Sequence, residues 1–211
     1  MNNPLSIDNI VYWNRKLHIY VGLFLLLFIL FFSLSGLLLN HSQWEFTSFW
    51  KERKETEIIT PVIIPINMDS VSLLHNFMKQ LNISGEISNV SITPSFINFR
   101  VAKPGTIHDI HVDFKSSTGY EKRIVLNWWG KMRILHTFNG SDKMNPGVQP
   151  NWFPTCIWRL SMDVIALGLI FLCIGSWIMW FKIRKDYSLG LIVLILGLAG
   201  AIFFIFLLRV L

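Results

Sequence analysis

The sequence predicts an α-helical membrane protein with three transmembrane helices and a small α+β domain outside the bilayer. Three observations carry that reading. Hydrophobic residues make up 52% of the 211 and charged residues only 15%, where a soluble domain carries roughly a quarter charged. Three runs, Leu17–Leu39, Val164–Phe181 and Leu189–Leu208, stay apolar over the length a hydrocarbon core requires. Between the first two runs, apolar residues recur at strand and amphipathic-helix spacing instead of forming a further span.

Taken in order, residues 1–16 read as a polar tail and 17–40 as the first helix, with His18 its one strongly polar residue. At the helical rise Leu17–Leu39 extends about 34 Å, enough to cross with slight tilt. Ser33-Leu34-Ser35 has the spacing of a signal-peptide cleavage site, but the apolar run continues through Leu39, which favours an uncleaved anchor. Residues 41–156 form the long extramembrane segment, 157–181 the second helix, 182–188 a loop and 189–209 the third helix. Lys182, Arg184 and Lys185 place that loop, and with it Arg15-Lys16, in the cytoplasm by the positive-inside rule. The N-terminus is then cytoplasmic and the C-terminus on the far side. Tyr12, Trp13, Trp177 and Trp180 mark the inner interface, and Trp44, Trp50, Trp152 and Trp158 the outer one. Gly168 and Gly175 on the second helix, and Gly197, Gly200 and Ala201 on the third, offer close backbone approach.

Within the extramembrane segment, residues 61–126 read as a compact α+β unit. Val62-Ile63-Ile64 is a short strand candidate. Asp69 is placed to cap a helix whose Val71, Leu74, Phe77, Met78 and Leu81 form one stripe, and Asn82–Gly85 ends it. Ile87–Ile92, Phe96–Val101, Thr106–Phe114 and Tyr120–Leu126 are strands separated by Pro-, Gly- and Ser-rich turns. A unit of this size buries a modest core and is expected to lean on the membrane helices.

Composition excludes several functions. The net charge of +6 comes without a basic helix or aromatic-basic ribbon, so nucleic acid is not a partner. Cys156 and Cys173, on one helical stretch, stand about 25 Å apart, beyond disulfide reach. There is no nucleophilic triad, phosphate-cradling loop, zinc-spaced cysteine set or dinucleotide fingerprint. Asp109, His111 and Asp113 alternate along one strand and share a face. They fit a metal site or, more simply, the solvated side of a sheet whose core side carries Ile110, Val112 and Phe114. Arg159 and Asp163, four apart, fit an intrahelical ion pair or a functional pair at the mouth of a span. By residue type alone, His18 and His41 are interfacial residues and His136 a loop histidine.

Four short motifs in order resemble one family. Arg15-Lys16-Leu17-His18 leads into a helix ending Ser35-Gly36-Leu37-Leu38-Leu39-Asn40-His41. Val112-Asp113 is followed by Thr118-Gly119-Tyr120. Leu135-His136-Thr137 precedes the second helix, which runs from Arg159-Leu160-Ser161-Met162-Asp163 to Gly175–Trp180. This arrangement is similar to that of PepSY-associated transmembrane (PepSY-TM) proteins and spans nearly the whole chain. The resemblance implies a bacterial inner-membrane protein with a PepSY-like domain in the periplasm. Its larger relatives include ferric-siderophore reductases that carry b-type haem between helices, whereas this chain has three spans where those have four or more.

Under that resemblance His41 and His136 are the expected axial ligands of one outer haem b, with Arg159 beside a propionate. His18 lies about 34 Å from His41 along the helix and has no histidine partner in the other spans, Met179 being the one soft ligand near its depth. The chain by itself thus holds at most one bis-histidine haem. Two functions follow as expectations: a haem-linked electron-transfer component of iron or ferric-siderophore handling, or a non-catalytic accessory subunit of a larger membrane complex whose periplasmic domain binds a partner protein.

Overall fold

The computed structural model describes residues 7–48, 50–65, 68–140, 150–182 and 187–210. The chain divides into two units: residues up to Phe28 together with those from Asp163 onward, and Ile29–Met162.

Among the described residues three helices are long and apolar enough to cross a membrane: α1 (Ile7–Asn40), α4 (Phe153–Lys182) and α5 (Tyr187–Val210). Three membrane-length helices and a separate α+β domain are therefore present, in the order the apolar runs predicted. Each helix reaches beyond its apolar run. Residues 7–16, expected as a tail, are already helical, because Ile7, Ile10, Val11 and the residues between them contain no helix breaker. Of the loop expected at 182–188, residues 183–186 lie outside the described residues.

In the first unit Asn14 of α1 donates from Nδ2 to the Gly175 carbonyl of α4 at 2.9 Å. Gly175 is what permits it, since a Cβ there would stand 3.0 Å from Asn14 Oδ1 and 3.2 Å from His18 Nδ1. Gly168 likewise lies under Leu25, which is buried. Gly197 and Gly200 differ from expectation: nothing lies within 4 Å of where a side chain on either would begin. None of the most apolar stretch of α5 is buried within the protein.

The second unit holds a five-stranded antiparallel sheet in the order β1-β5-β4-β3-β2. Its strands are β1 (Lys54–Pro61), β2 (Glu86–Ile92), β3 (Phe96–Lys103), β4 (Thr106–Asp113) and β5 (Thr118–Val125). Helix α2 (Ser70–Gln80) carries the chain from one edge of the sheet to the other. Asp69 caps it, accepting from Ser72 N at 3.2 Å. Asn82 (φ 54°) and Gly85 (φ 152°) then turn the chain into β2. Leu74, Phe77 and Met78 on α2 pack with Ile97, Phe99 and Val101 of β3 and Ile110 and Val112 of β4. Val71, expected in the same stripe, faces solvent.

The first strand lies earlier than Val62–Ile64. Its sequence, KETEIITP, is largely polar because both its faces are mostly exposed at the sheet edge, so it lacks the apolar alternation that marks a strand. Val62 instead drops into the core against Gly119, where a Cβ would come 3.1 Å from Val62 Cγ1. The opposite edge carries a register shift between Ser88 and Ser91, with Asn89 at φ 52°. A charged, proline-ended edge and a bulged one both discourage edge-to-edge pairing. After β5, α3 (Trp128–Thr137) follows, capped by Asn127 accepting from Gly130 N at 3.0 Å. His136, read as a loop residue, is in its last turn.

Candidate functional site

His136 has the most defined surroundings of the expected haem ligands. Its Nδ1 is 2.7 Å from Ser35 Oγ on α1. Ser35 Oγ is also 2.7 Å from the Phe31 carbonyl. A hydroxyl that close to a carbonyl donates to it, since lone pairs facing lone pairs would repel. The single Ser35 proton is thereby used, and His136 Nδ1–H donates to Ser35. The neutral imidazole then carries its lone pair on Nε2, the arrangement in which a histidine binds a metal with its other nitrogen fixed by a hydrogen bond. The ring leans on Phe32 (centroids 5.2 Å apart), and its Cε1 would be 3.4 Å from a Cβ at Gly36. Trp158 flanks Phe32 at 6.3 Å and donates from Nε1 to the Phe138 carbonyl at 3.0 Å.

His41 keeps different company. Its ring stacks on Trp44 at 4.3 Å with the planes 4° apart. At about 100° per residue it sits about 140° round the helical path from Gly36. His41 and His136 therefore rest on different neighbours, Trp44 for the one and Ser35 and Phe32 for the other. His18, in the other unit, lies beside Gly175, and its Nδ1 is buried without a hydrogen-bond partner. Arg159 and Asp163 are both exposed on α4.

The Asp109, His111 and Asp113 side chains do share a sheet face, as their alternation required, but each serves its own neighbour. Asp109 pairs with Arg100, the second contact being 3.1 Å. His111 Nδ1 is 2.6 Å from Asn98 Oδ1. Asp113 Oδ1 accepts from Lys115 N at 2.8 Å, which with Lys115 and Ser116 amides in reach holds its carboxyl below the usual value. Among the described residues no group of three or more His, Cys, Asp or Glu side chains is arranged to hold a metal ion.

That sheet face instead forms an open cleft of about 550 Å³. Strand register builds it as two rows. Glu57, Lys122, Asp109 and Arg100 lie side by side across β1, β5, β4 and β3, and next to them run Ile59, Tyr120, His111 and Asn98. Ile59 is 67% exposed and Tyr120 43%. Lys122 reaches diagonally to Glu55 at 3.0 Å, and Phe96, His111 and Tyr120 form a ring series with centroid spacings of 5.3 and 5.9 Å.

Two buried groups escaped sequence reasoning. His108 and Glu121, both 4% exposed, meet at 2.8 Å on the core side of the sheet, and Arg123 Nε reaches the same Glu121 oxygen at 3.0 Å. The clue in the sequence is that His108 keeps the parity of Ile110 and Val112 on β4; Glu121 reaches the same face only through its register opposite Ile110. Glu86, at the start of β2, is the other. It accepts from Trp152 N at 3.1 Å and Asn151 N at 2.8 Å, just ahead of α4. Buried carboxylates at helix N-termini are stabilised by the unpaired amides there. This one ties the sheet to the start of a membrane-length helix.

Searches against known protein families, curated proteins and solved structures find no match to the chain.

Proposed function

We propose that this protein is a membrane-anchored accessory subunit, of PepSY-TM type, whose extramembrane sheet binds a segment of a partner protein in the same membrane. The observation that carries the reading is the open sheet face. Its charges alternate in sign along the row Glu57, Lys122, Asp109, Arg100, so the row is close to neutral and repels or attracts no bulk polyanion. It matches a partner strand or loop with the opposite alternation, and a shift of register sets like charges together. Ile59 and Tyr120 beside it supply apolar anchorage of the kind that dominates interface energy. The bacterial inner membrane, with this domain in the periplasm, is part of the same proposal. The test is purification from native membranes in mild detergent. A stoichiometric partner retained by a His75→Ser variant on α2, but lost from Tyr120→Ser and Lys122→Glu, supports the reading. A lone monomer, or a partner retained by all three variants, ends it.

A second reading is favoured by His136. Its Nδ1–H donation to Ser35 would leave the Nε2 lone pair to bind a haem iron, and Phe32 and Trp158 make an aromatic wall beside it. Haem b bound there would supply one-electron transfer, for instance in iron or ferric-siderophore handling. This chain would offer it the His136 imidazole, holding that ring's tautomer and shielding one side of it; a second ligand would come from His41 or from a partner subunit. The reduced-minus-oxidised visible spectrum of the purified complex tests it. A b-type signal lost in His136→Ala and kept in His41→Ala supports a His136 site with its second ligand from a partner subunit. Loss in both variants means that His41 also serves as a ligand, and a featureless spectrum from protein made with ample haem removes the redox reading.

A further inference from the structure

We infer that α3 and the segment just after α1 form an amphipathic collar seated in the headgroup region of the lipid bilayer on the domain's side. The collar rests on the membrane-spanning reading of α1 and adds to the partner-binding reading of the sheet.

The depth of α3 follows from its contacts. His136, in its last turn, touches α1 at Phe32, Ser35 and Gly36. These positions lie about 6–12 Å inside the end of α1 at Asn40, by the helical rise. An α1 that spans a membrane therefore carries the C-terminal end of α3 to the border between headgroups and hydrocarbon. Trp44 follows Asn40 by four residues, so it lies within about 14 Å of that border. Phe46 then meets Trp129 at 5.8 Å, joining the segment to the first turn of α3.

The faces of α3 are assigned by their neighbours. Ile134 and Thr137 line a cleft with Ala102 and Ile107 of the sheet, while Trp129 meets Phe46 and His136 meets α1. The remaining face carries Trp128, Met132 and Leu135, with Lys131 alongside. Trp128 is 67% exposed, Phe46 60% and Trp50 50%. Tryptophan prefers the interface, and a short amphipathic helix with a basic rim lies in its plane. Arg53 stacks on Trp50 at 4.5 Å while pairing with Glu55 at 2.6 Å, and exposed Lys131, its stem over Gly105, is the rim cation with the length to reach a phosphate. Lipid is the occupant the tether dictates.

The test uses the full chain with Cys156 and Cys173 replaced by Ser, reconstituted alone in phosphatidylethanolamine–phosphatidylglycerol bilayers. Nitroxides are placed one at a time through Trp128→Cys, Met132→Cys, Leu135→Cys, Tyr120→Cys on the sheet face and Leu196→Cys on α5. Collision with oxygen reports lipid, and collision with a polar nickel chelate reports water. The collar predicts that labels at 128, 132 and 135 shift from nickel towards oxygen relative to 120, to values between those at 120 and 196. Nickel-dominated collisions at all three collar positions, equal to those at 120, overturn it. So does low collision with both reagents, which means that a second copy covers the face. A water-like label at 196 would instead overturn the membrane reading on which the collar stands, and because no partner is present the outcome is independent of the partner-binding proposal.

Discussion

Replacing Glu86 with Ala is expected to free the start of α4 from the sheet. The carboxylate accepts two amides, at 2.8 and 3.1 Å, and the residue is 4% exposed. Hydrogen bonds to a charged group contribute about 1.5–3 kcal/mol each, and an acid near a helix N-terminus adds about 0.3–1 kcal/mol. Truncation also opens a small polar void that water can enter, which returns part of the loss. Taking the lower end of each contribution gives about 3 kcal/mol, or roughly a hundredfold in a local opening equilibrium. Amide hydrogen exchange, followed by mass spectrometry on detergent-solubilised protein, reads this directly. Exchange at Asn151 and Trp152 is expected to rise about a hundredfold in Glu86→Ala, and by about half that free energy in Glu86→Gln, which keeps one acceptor oxygen. A change at these amides no larger than that at the β3–β4 core would refute the idea of a specific tether. No change at all would show that the bond carries no free energy.

Other perturbations test other layers. Phe77→Ala removes the fully buried centre of the domain core and is expected to cost about 3–5 kcal/mol; loss of the cooperative near-ultraviolet melting of the domain, with the helices retained, would be the signature. Gly85→Ala places a Cβ 2.6 Å from the Ala102 carbonyl at φ 152°, so it is expected to lower the same melting temperature, while Gly197→Ala on α5 leaves it unchanged. Asn14→Ala deletes the Asn14–Gly175 hydrogen bond between α1 and α4; a loss of about 0.6–1.7 kcal/mol is expected in steric-trap or denaturant unfolding in bicelles. The side-chain and backbone hydrogen bonds from Ser72 hold the Asp69 carboxyl below its usual 3.8. Its capping contribution is therefore complete above pH 3.8 and is lost as pH falls through the lower folded value. Asp69→Asn, which caps without titrating, should remove that acid step from the melting profile of α2, and an unchanged profile would disprove the assignment.

How much of this was legible beforehand varies by element. The three membrane-length helices were, because a long unbroken apolar run satisfies its own backbone hydrogen bonds as a helix whatever its neighbours do. Helix α2 and strands β2 to β5 were also legible. Their periodicity, the Asp69 cap and the Lys103-Pro104-Gly105 and Ser116–Gly119 turns are local signals, and each element lies within a few residues of its expected place. Strand β1 was not, since an edge strand exposed on both faces has no reason to alternate. Nor was α3, whose ten residues include Gly130 and two cations and whose helicity depends on contacts with α1 and the sheet.

The site divides along the same line. Sequence alone determined that Asp109, His111 and Asp113 share a face, because side chains alternate along any strand. It also determined that three runs are long and apolar enough to cross a membrane, and that Cys156 and Cys173, on one helix, stand about 25 Å apart. Only the tertiary structure decided what those side chains do: Asp109 faces Arg100, His111 faces Asn98, and the row across four strands exists through register alone. Only it set His41 on Trp44 and His136 on Ser35, and only it brought Glu86 to Trp152 and His108 to Glu121. The physical reason is range. Periodicity, caps and turns are written within a few residues, whereas a hydrogen bond between residues 86 and 152 depends on how every element between them packs.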